Sequence, residues 1–334
     1  MGNDLDSFHI VLVHLSKRLP RYLISNLEHL QSVFPEFPKT LVVSRGTRLS
    51  SDAVVGWSVY EYVRNRETEE LFSAGKLDPT FREGFWYVSL ERLLALEEVH
   101  LRFPDEPLLH VESDVLLMPT FPTMFFNEMK SLAWQKIDEE EDVASLVFSP
   151  SAAQTSFLCQ SIRTAYYQNP GLSDMRALRK FASDNPEQIT YLEMNPETAG
   201  SEGVFDPATA GVYLLGNDPR NSRGVERYGQ KTFKHLMNVE AFEWQFTENS
   251  ILCRTSGTEW VQLHSLHIHS KRPSFFNLSN LLAQALKVAN GHARARFSLQ
   301  AFFSWLGDIA GDVLRVSSIK KLIIKASRLI RGRR

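Results

Sequence analysis

The stretch Leu108–Pro119, LLHVESDVLLMP, has the pattern of a buried strand but contains two acids. Its flanks are apolar on both sides, a pattern typical of a strand covered on both faces. Glu112 and Asp114 stand in its middle. Burying an unpaired carboxylate is costly or forces it to take up a proton. The two acids therefore need partners or a bound cation.

Glu112 and Asp114 are two residues apart, so on an extended chain both side chains project from the same face. Two carboxylates at a strand end make half a site for a hard divalent cation. In open α/β sheets, ligands collect outside the carboxyl ends of strands. The alternative is structural: the acids pair with arginines or cap the next helix.

A second segment, LHSLHIHSK at residues 263–271, supplies further candidate ligands. On a strand, His267 and His269 share a face that Lys271 continues. Imidazole can complete a coordination sphere begun by carboxylates, and an ammonium can neutralise a phosphate. We expect His269, and after it His267, to be the late metal ligand. For His264 we favour a structural role in a half-buried strand.

The order of elements predicts an α/β fold. An apolar strand at residues 8–15, a helix with leucines at helical spacing and a strand at residues 40–44 form a β-α-β start, which favours a parallel sheet. Helices are predicted at residues 79–103 and near 121–136, and later strands at VASLVFS, FEWQFTE, ILCRTSG and EWVQLHSLHIHS. We predict a catalytic domain over residues 1–275 and a C-terminal helical region over residues 276–334.

Composition narrows the class of protein. Hydrophobic residues make up 43% and charged residues 23% of the 334 residues, values typical of a soluble globular protein. Two cysteines form neither a disulfide framework nor a cysteine-based zinc site, which favours a reducing compartment. The N-terminal segment lacks the features of a signal peptide. We therefore predict a cytoplasmic protein.

The C-terminal segment, residues 313–334, carries eight Lys/Arg and no acid, although the whole chain has a net charge of -2. On a helix its apolar and basic residues separate onto two faces, which indicates a surface that binds anionic lipid. We predict peripheral attachment to the inner face of the plasma membrane. The alternative is a helix docked on its own domain. No nucleic-acid-binding motif accompanies the tail, so we expect no nucleic-acid partner.

Taken in order, several segments resemble a bacterial glycosyltransferase of the GT-A type, particularly those of cell-surface polysaccharide synthesis. They are HIVLVHL, FWYVSLERLLALEE leading into LLHVESDVLL, VFDPATAGVYLLGNDPRN and SLHIHSK, and they span residues 8–272. The resemblance implies a Rossmann-type mixed sheet flanked by helices and a D-x-D-like motif that holds Mn²⁺ or Mg²⁺. It also implies a nucleotide-sugar donor, with a UDP-sugar favoured, and transfer of a hexosyl group to a glycan or lipid-linked acceptor.

The resemblance implies that Asp114 is the principal metal ligand, with Glu112 binding directly or through water and Lys271 facing the phosphates. Glu112 departs from the family pattern, which has Asp at that place. Pro207 and Val212 are a second departure, because such enzymes carry Gly and Gln there.

Three further residues are candidates on their own chemistry. Arg45 follows the second strand and can reach the base or phosphate, or form a surface ion pair. Arg92 is polar within a largely apolar helix and needs a partner, for which the nucleotide pocket is one candidate. Asp206 lies in turn-rich sequence, where Asp often bonds locally, and is a candidate general base for an acceptor hydroxyl.

Two other functions remain open. A metal-dependent hydrolase, for example a phosphodiesterase, can use HIH with the two acids, but it requires more His/Asp ligands than this sequence offers. A non-catalytic carbohydrate-binding protein of the same fold is the other alternative.

Overall fold

The computed structural model describes residues 8–78, 84–216 and 239–290. In these ranges the strands are β1 (His9–His14), β2 (Lys39–Ser44), β3 (Ser58–Tyr62), β4 (Leu108–Val111), β5 (Val115–Leu117), β6 (Leu132–Lys136), β7 (Asp142–Ser149), β8 (Ile189–Tyr191), β9 (Val204–Phe205), β10 (Glu243–Phe246), β11 (Ile251–Arg254) and β12 (Val261–His267). The helices are α1 (Arg21–Val33), α2 (Arg66–Ser73), α3 (Phe85–His100), α4 (Thr123–Glu128), α5 (Ala152–Gln168), α6 (Asp174–Asp184), α7 (Thr209–Leu215) and α8 (Leu278–Ala289).

The larger sheet has seven strands in the order β3-β2-β1-β4-β7-β6-β8. The first four strands of this order are parallel, whereas β7 runs antiparallel to both β4 and β6. Helices cover both faces. The predicted α/β fold, a mixed sheet flanked by helices, is confirmed.

Strand β1 shows why the parallel strands read as continuous apolar runs. Ile10 and Leu12 pack into the layer that contains α1. Val11 and Val13 pack into the opposite layer, with α3, α5 and α6. Alternate side chains of one strand thus enter two different cores, so both sets must be apolar.

The second sheet joins β10, β11, β12 and β5 in that order, with β9 parallel to β12. Its apolar face packs with α7 and α8 around a third core, which includes Leu214, Leu263 and Leu281. The late strands predicted at FEWQFTE, ILCRTSG and EWVQLHSLHIHS are confirmed as β10, β11 and β12.

The stretch Leu108–Pro119 contributes one strand to each sheet. β4 lies in the large sheet and β5 in the small one. Between them the Val115 N–H donates to the Glu112 carbonyl at 3.0 Å, which closes a tight turn. The expected single extended strand is therefore wrong. The two acids lie at the joint between the sheets.

The helix predicted near residues 121–136 is also wrong over most of its length. Only Thr123–Glu128 is helical, and Leu132–Lys136 is strand β6, paired with β7 and β8. Leu132, Ala133 and Trp134 are fully buried in that position. Pairing on both edges overrides the local pattern.

Of the predicted C-terminal helical region, the structure describes residues 276–290, which include α8. The basic segment at residues 313–334 lies outside the described residues, so its amphipathic helix remains a prediction. None of the helices within the described ranges is long and apolar enough to cross a membrane.

Candidate active site

The turn that carries Glu112 and Asp114 is held by helix α1. Asn26, fully buried, donates from Nδ2 to the carbonyl of Ser113 at 3.1 Å and to that of Val115 at 2.9 Å. Three residues along α1, His29 donates from Nε2 to the carbonyl of Leu117 at 2.7 Å. Side chains of a helix thus bond the free edge of β5. Sequence reasoning missed both residues, because their partners are backbone groups far along the chain.

Strand β12 brings the second predicted segment to this turn. It pairs antiparallel with β5, and His267 lies opposite Val115. As a result His267 Nε2 lies 3.3 Å from Asp114 Oδ2 and 3.8 Å from Glu112 Oε2. One ligand atom from each of these three residues lies within 4.8 Å of the others. The two segments, some 150 residues apart, meet as the sequence predicted.

The histidine at this position is His267 rather than the first choice, His269. β12 ends at His267, and the His269 N–H donates to the His267 carbonyl at 2.8 Å in a tight turn. The strand predicted over EWVQLHSLHIHS therefore ends three residues earlier than expected, and Lys271 does not continue its face. The His269 ring lies 5.6 Å from that of His267, centroid to centroid, and His269 is not among the three clustered ligands.

The turn after β12 delivers Lys271 to the acids. Lys271 Nζ lies 2.6 Å from Asp114 Oδ2 and 5.2 Å from the centre of the Tyr22 ring. Lys271 adopts a φ of 52°, a left-handed conformation that is uncommon for a residue with a Cβ. The backbone is thus held in a rare conformation that places the ammonium beside the carboxylate.

Arg92 on α3 approaches the site from the other side. Its Nη2 lies 2.6 Å from Glu112 Oε1 and 3.9 Å from Asp174 Oδ2, at the start of α6. Arg92 therefore has the partner that its place in an apolar helix requires, and that partner is a carboxylate of the predicted metal pair. Asp174 was not predicted, because nothing in its local sequence distinguishes it from an ordinary helix N-terminal acid.

Charges in this cluster control the ionisation of its members. Burial alone raises the pKa of Asp114, but the ammonium of Lys271 and the imidazole of His267 outweigh it and hold that pKa well below its usual range. Burial lowers the pKa of His267, yet the carboxylates of Asp114 and Glu112 raise it overall. For Asp174, burial raises the pKa to about 6 against the opposing effect of Arg92. The cluster therefore holds ionised Asp114 in a buried place.

Asp206 lies next to the cluster but points its carboxylate into the protein. It is fully buried, and its two oxygens accept N–H bonds from Ala208, Ala210, Gly211 and His267 at 2.8–3.0 Å. A carboxylate has about four lone-pair sites, so all of them are used. This geometry does not favour the predicted role of general base.

Arg45 follows β2 at the edge where the parallel strands end. Its side chain is exposed, and its backbone N–H donates to the Tyr62 carbonyl at 3.0 Å. Its predicted contact with a nucleotide stays a prediction.

The residues present fit a divalent cation. Two carboxylates and an imidazole converge, and this is the one group of three or more His, Cys, Asp or Glu ligands found in the described ranges. Oxygen and imidazole donors suit Mn²⁺ or Mg²⁺, and a cation would offset the two adjacent negative charges. Nδ1 of His267 is buried with no hydrogen-bond partner among the described residues. Nε2 is the ring nitrogen that faces the two acids.

No protein-family model matches this chain, and no curated protein matches it. Among solved structures, the galactosyltransferase LgtC, described in complex with donor and acceptor sugar analogues, matches with a TM-score of 0.45 at 12% identity, covering 90% of this chain and 99% of LgtC. The apo form of the glycosyltransferase GlyE of Streptococcus pneumoniae TIGR4 matches with a TM-score of 0.42 at 8% identity, covering 85% of this chain and 62% of GlyE. Both are glycosyltransferases, the class that the sequence resembles.

Proposed function

We propose that this chain is a metal-dependent glycosyltransferase that moves a hexosyl group from a nucleoside-diphosphate sugar, favoured as a UDP-sugar, to a glycan or lipid-linked acceptor. One observation carries the proposal: Glu112, Asp114 and His267 converge beside the ammonium of Lys271. A carboxylate–imidazole cluster flanked by a cation suits the binding of a metal together with a diphosphate.

Asp114, Glu112 and His267 would hold the Mn²⁺ or Mg²⁺, which supplies Lewis-acid stabilisation of the departing diphosphate. Lys271 lies close enough to Asp114 to neutralise the same phosphates as a point charge. Arg92 orients Glu112 through their 2.6 Å ion pair. Arg45, exposed after β2, would contact the base or a phosphate.

In the reaction, the bond between the anomeric carbon and the phosphate oxygen breaks and the nucleoside diphosphate leaves with the bonding pair. The acceptor hydroxyl oxygen forms the new bond to that carbon, and its proton passes to solvent water. Preorganised positive charge at the leaving group is the largest contribution that these residues make to the rate. Asp206 takes no part in the proton transfer, since its lone pairs are already used by backbone N–H groups.

The acceptor and location belong to the same proposal. The basic segment at residues 313–334 favours a peripheral position on the inner face of the plasma membrane. There the enzyme would extend a lipid-linked or cell-surface glycan. Sedimentation of the full chain with phosphatidylglycerol vesicles, compared with phosphatidylcholine vesicles, tests this location.

A donor screen by mass spectrometry tests the activity without knowledge of the acceptor. The full chain is incubated with UDP- and GDP-sugars in Mn²⁺, in Mg²⁺ or in EDTA. We expect slow release of free sugar and nucleoside diphosphate from at least one donor, with metal and not with EDTA. Cleavage of simple phosphodiesters with no need for a sugar would support the hydrolase instead. No turnover or binding of any donor would leave a non-catalytic carbohydrate-binding protein.

A further inference from the structure

Asp206 connects the turn before α7 to the end of β12. It follows β9, which runs parallel to β12, and its carboxylate is fully buried. Oδ1 accepts from the N–H groups of Ala208 and Ala210, and Oδ2 accepts from those of Gly211 and His267. Three of these donors belong to the first turn of α7 and the residues before it. The fourth is the backbone of the clustered histidine.

The contact around His267 is tight on its carbonyl side as well. A Cβ added at Gly211 would lie 1.9 Å from the His267 carbonyl oxygen, so only glycine permits this approach. Ala208 holds a φ of 125°, a conformation that a residue with a Cβ rarely adopts. Such strain persists where surrounding contacts over-determine the backbone, and it clusters at functional sites. The bond from Ala208 N–H to Asp206 is one of those contacts.

We propose that Asp206 is a positioning residue that sets the metal affinity of the cluster by fixing the backbone of His267. The inference rests on the proposed function, because it takes His267 to be a metal ligand. The His267 side chain reaches Asp114 from a backbone whose N–H is bonded to Asp206 at 3.0 Å and whose carbonyl packs on Gly211. Groups that orient a metal ligand contribute about 10- to 100-fold to metal affinity.

Asp206→Asn tests the proposal with little change in shape. The amide keeps one acceptor oxygen and presents N–H donors at the other position, so two of the four backbone N–H groups lose their acceptor in either orientation, and the set of bonds that fixes His267 is broken. We expect Mn²⁺ alone, titrated by electron paramagnetic resonance of the free ion, to bind about 10- to 100-fold more weakly than to the parent chain. This readout requires no substrate and no turnover.

Gly211→Ala tests the same backbone from the other side while it leaves Asp206 intact. We expect a similar weakening of Mn²⁺ binding, because the Cβ displaces the His267 carbonyl. Ser265→Ala is the matched control: Ser265 lies in the same strand and accepts the Asp206 N–H at 3.3 Å, but does not contact the carboxylate. Its Mn²⁺ affinity should stay within about twofold of the parent.

The outcomes separate the inference from the proposed function. Parent chain that binds no Mn²⁺ overturns both. Parent chain that binds Mn²⁺, with folded Asp206→Asn or Gly211→Ala binding it equally well, overturns the positioning role alone. Equal weakening in Ser265→Ala, or loss of folding in both test variants, assigns Asp206 to general stability and also overturns the positioning role.

Discussion

Two buried carboxylates, Asp114 and Asp142, show what distinguishes a candidate site from ordinary structure. Asp114 lies beside Lys271 and His267, and these positive partners hold its pKa well below the usual range against burial. Asp142 accepts from neutral donors, Trp134 Nε1 at 2.8 Å and Tyr191 OH at 3.3 Å, and burial raises its pKa to about 6. Burial of an acid therefore does not indicate function. Function is indicated when ligand atoms converge on one point and positively charged side chains offset the buried charge.

The largest expected contrast is in metal-dependent turnover. Asp114→Asn removes the principal ligand charge and should lower turnover of the sugar donor by about 100-fold or more, as loss of a preorganised electrostatic group does. Asp142→Asn should leave turnover within about twofold. Initial rates at saturating Mn²⁺, measured on variants with native circular dichroism, make the comparison. Equal losses of turnover in Asp114→Asn and Asp142→Asn would contradict a functional difference between the two acids.

The next contrast lies within the second segment. His267→Ala should weaken Mn²⁺ binding by at least the roughly 10- to 100-fold that loss of a group orienting a ligand costs, because the imidazole itself is lost. His269→Ala should bind Mn²⁺ nearly as the parent does, since β12 ends before it and its side chain is not among the clustered ligands. Titration of each variant with Mn²⁺ checks this. The opposite ranking would restore His269 as the late ligand.

Much of this arrangement was predicted from sequence, and the misses share a cause. The acids, the late histidines and Lys271 were identified because their residue types and spacing carry a signal within a few residues. Asn26 and Asp174 carry no such signal, since their roles depend on how α1 and α6 pack against the turn. His269 was ranked before His267 because period-two spacing does not show where a strand ends; the strand ends at His267, which lies beside the acids, and a metal-binding role for His269 stays a prediction. Asp206 was predicted as a general base, and the backbone N–H groups that occupy its carboxylate are visible only in three dimensions.

A third contrast concerns stability. The folded pKa of Asp142 is about 6, above its unfolded value, so the contribution of this carboxyl to the stability of the parent chain falls as pH rises from about 4 through about 6. Asp142→Asn has no such charge to bury and can still accept from Trp134. Between pH 4 and pH 7 its free energy of unfolding should gain about 2 kcal/mol relative to the parent. Urea unfolding at both pH values measures the difference. A difference in unfolding free energy between the two chains that does not change with pH would show that ionisation of Asp142 does not destabilise the folded chain.

The smallest effect is the pH dependence of metal binding. The pKa of His267 is raised overall by Asp114 and Glu112, against burial. Protonated imidazole cannot bind a metal, so Mn²⁺ affinity should fall about tenfold for each pH unit below that raised pKa. Mn²⁺ titrations between pH 5.5 and 8 measure the slope. His267→Ala is the control and should lack it; the same slope in that variant would place the titrating group elsewhere.

Calorimetric titration of the full chain with UDP, and in parallel with GDP, in Mn²⁺ and in EDTA tests whether metal and diphosphate bind together at this site. We expect binding of at least one nucleoside diphosphate that is about tenfold or more tighter with Mn²⁺, because the clustered acids and Lys271 act on metal and phosphates together. Binding that is unchanged by EDTA, or no binding of either nucleotide in the presence of metal, would contradict it.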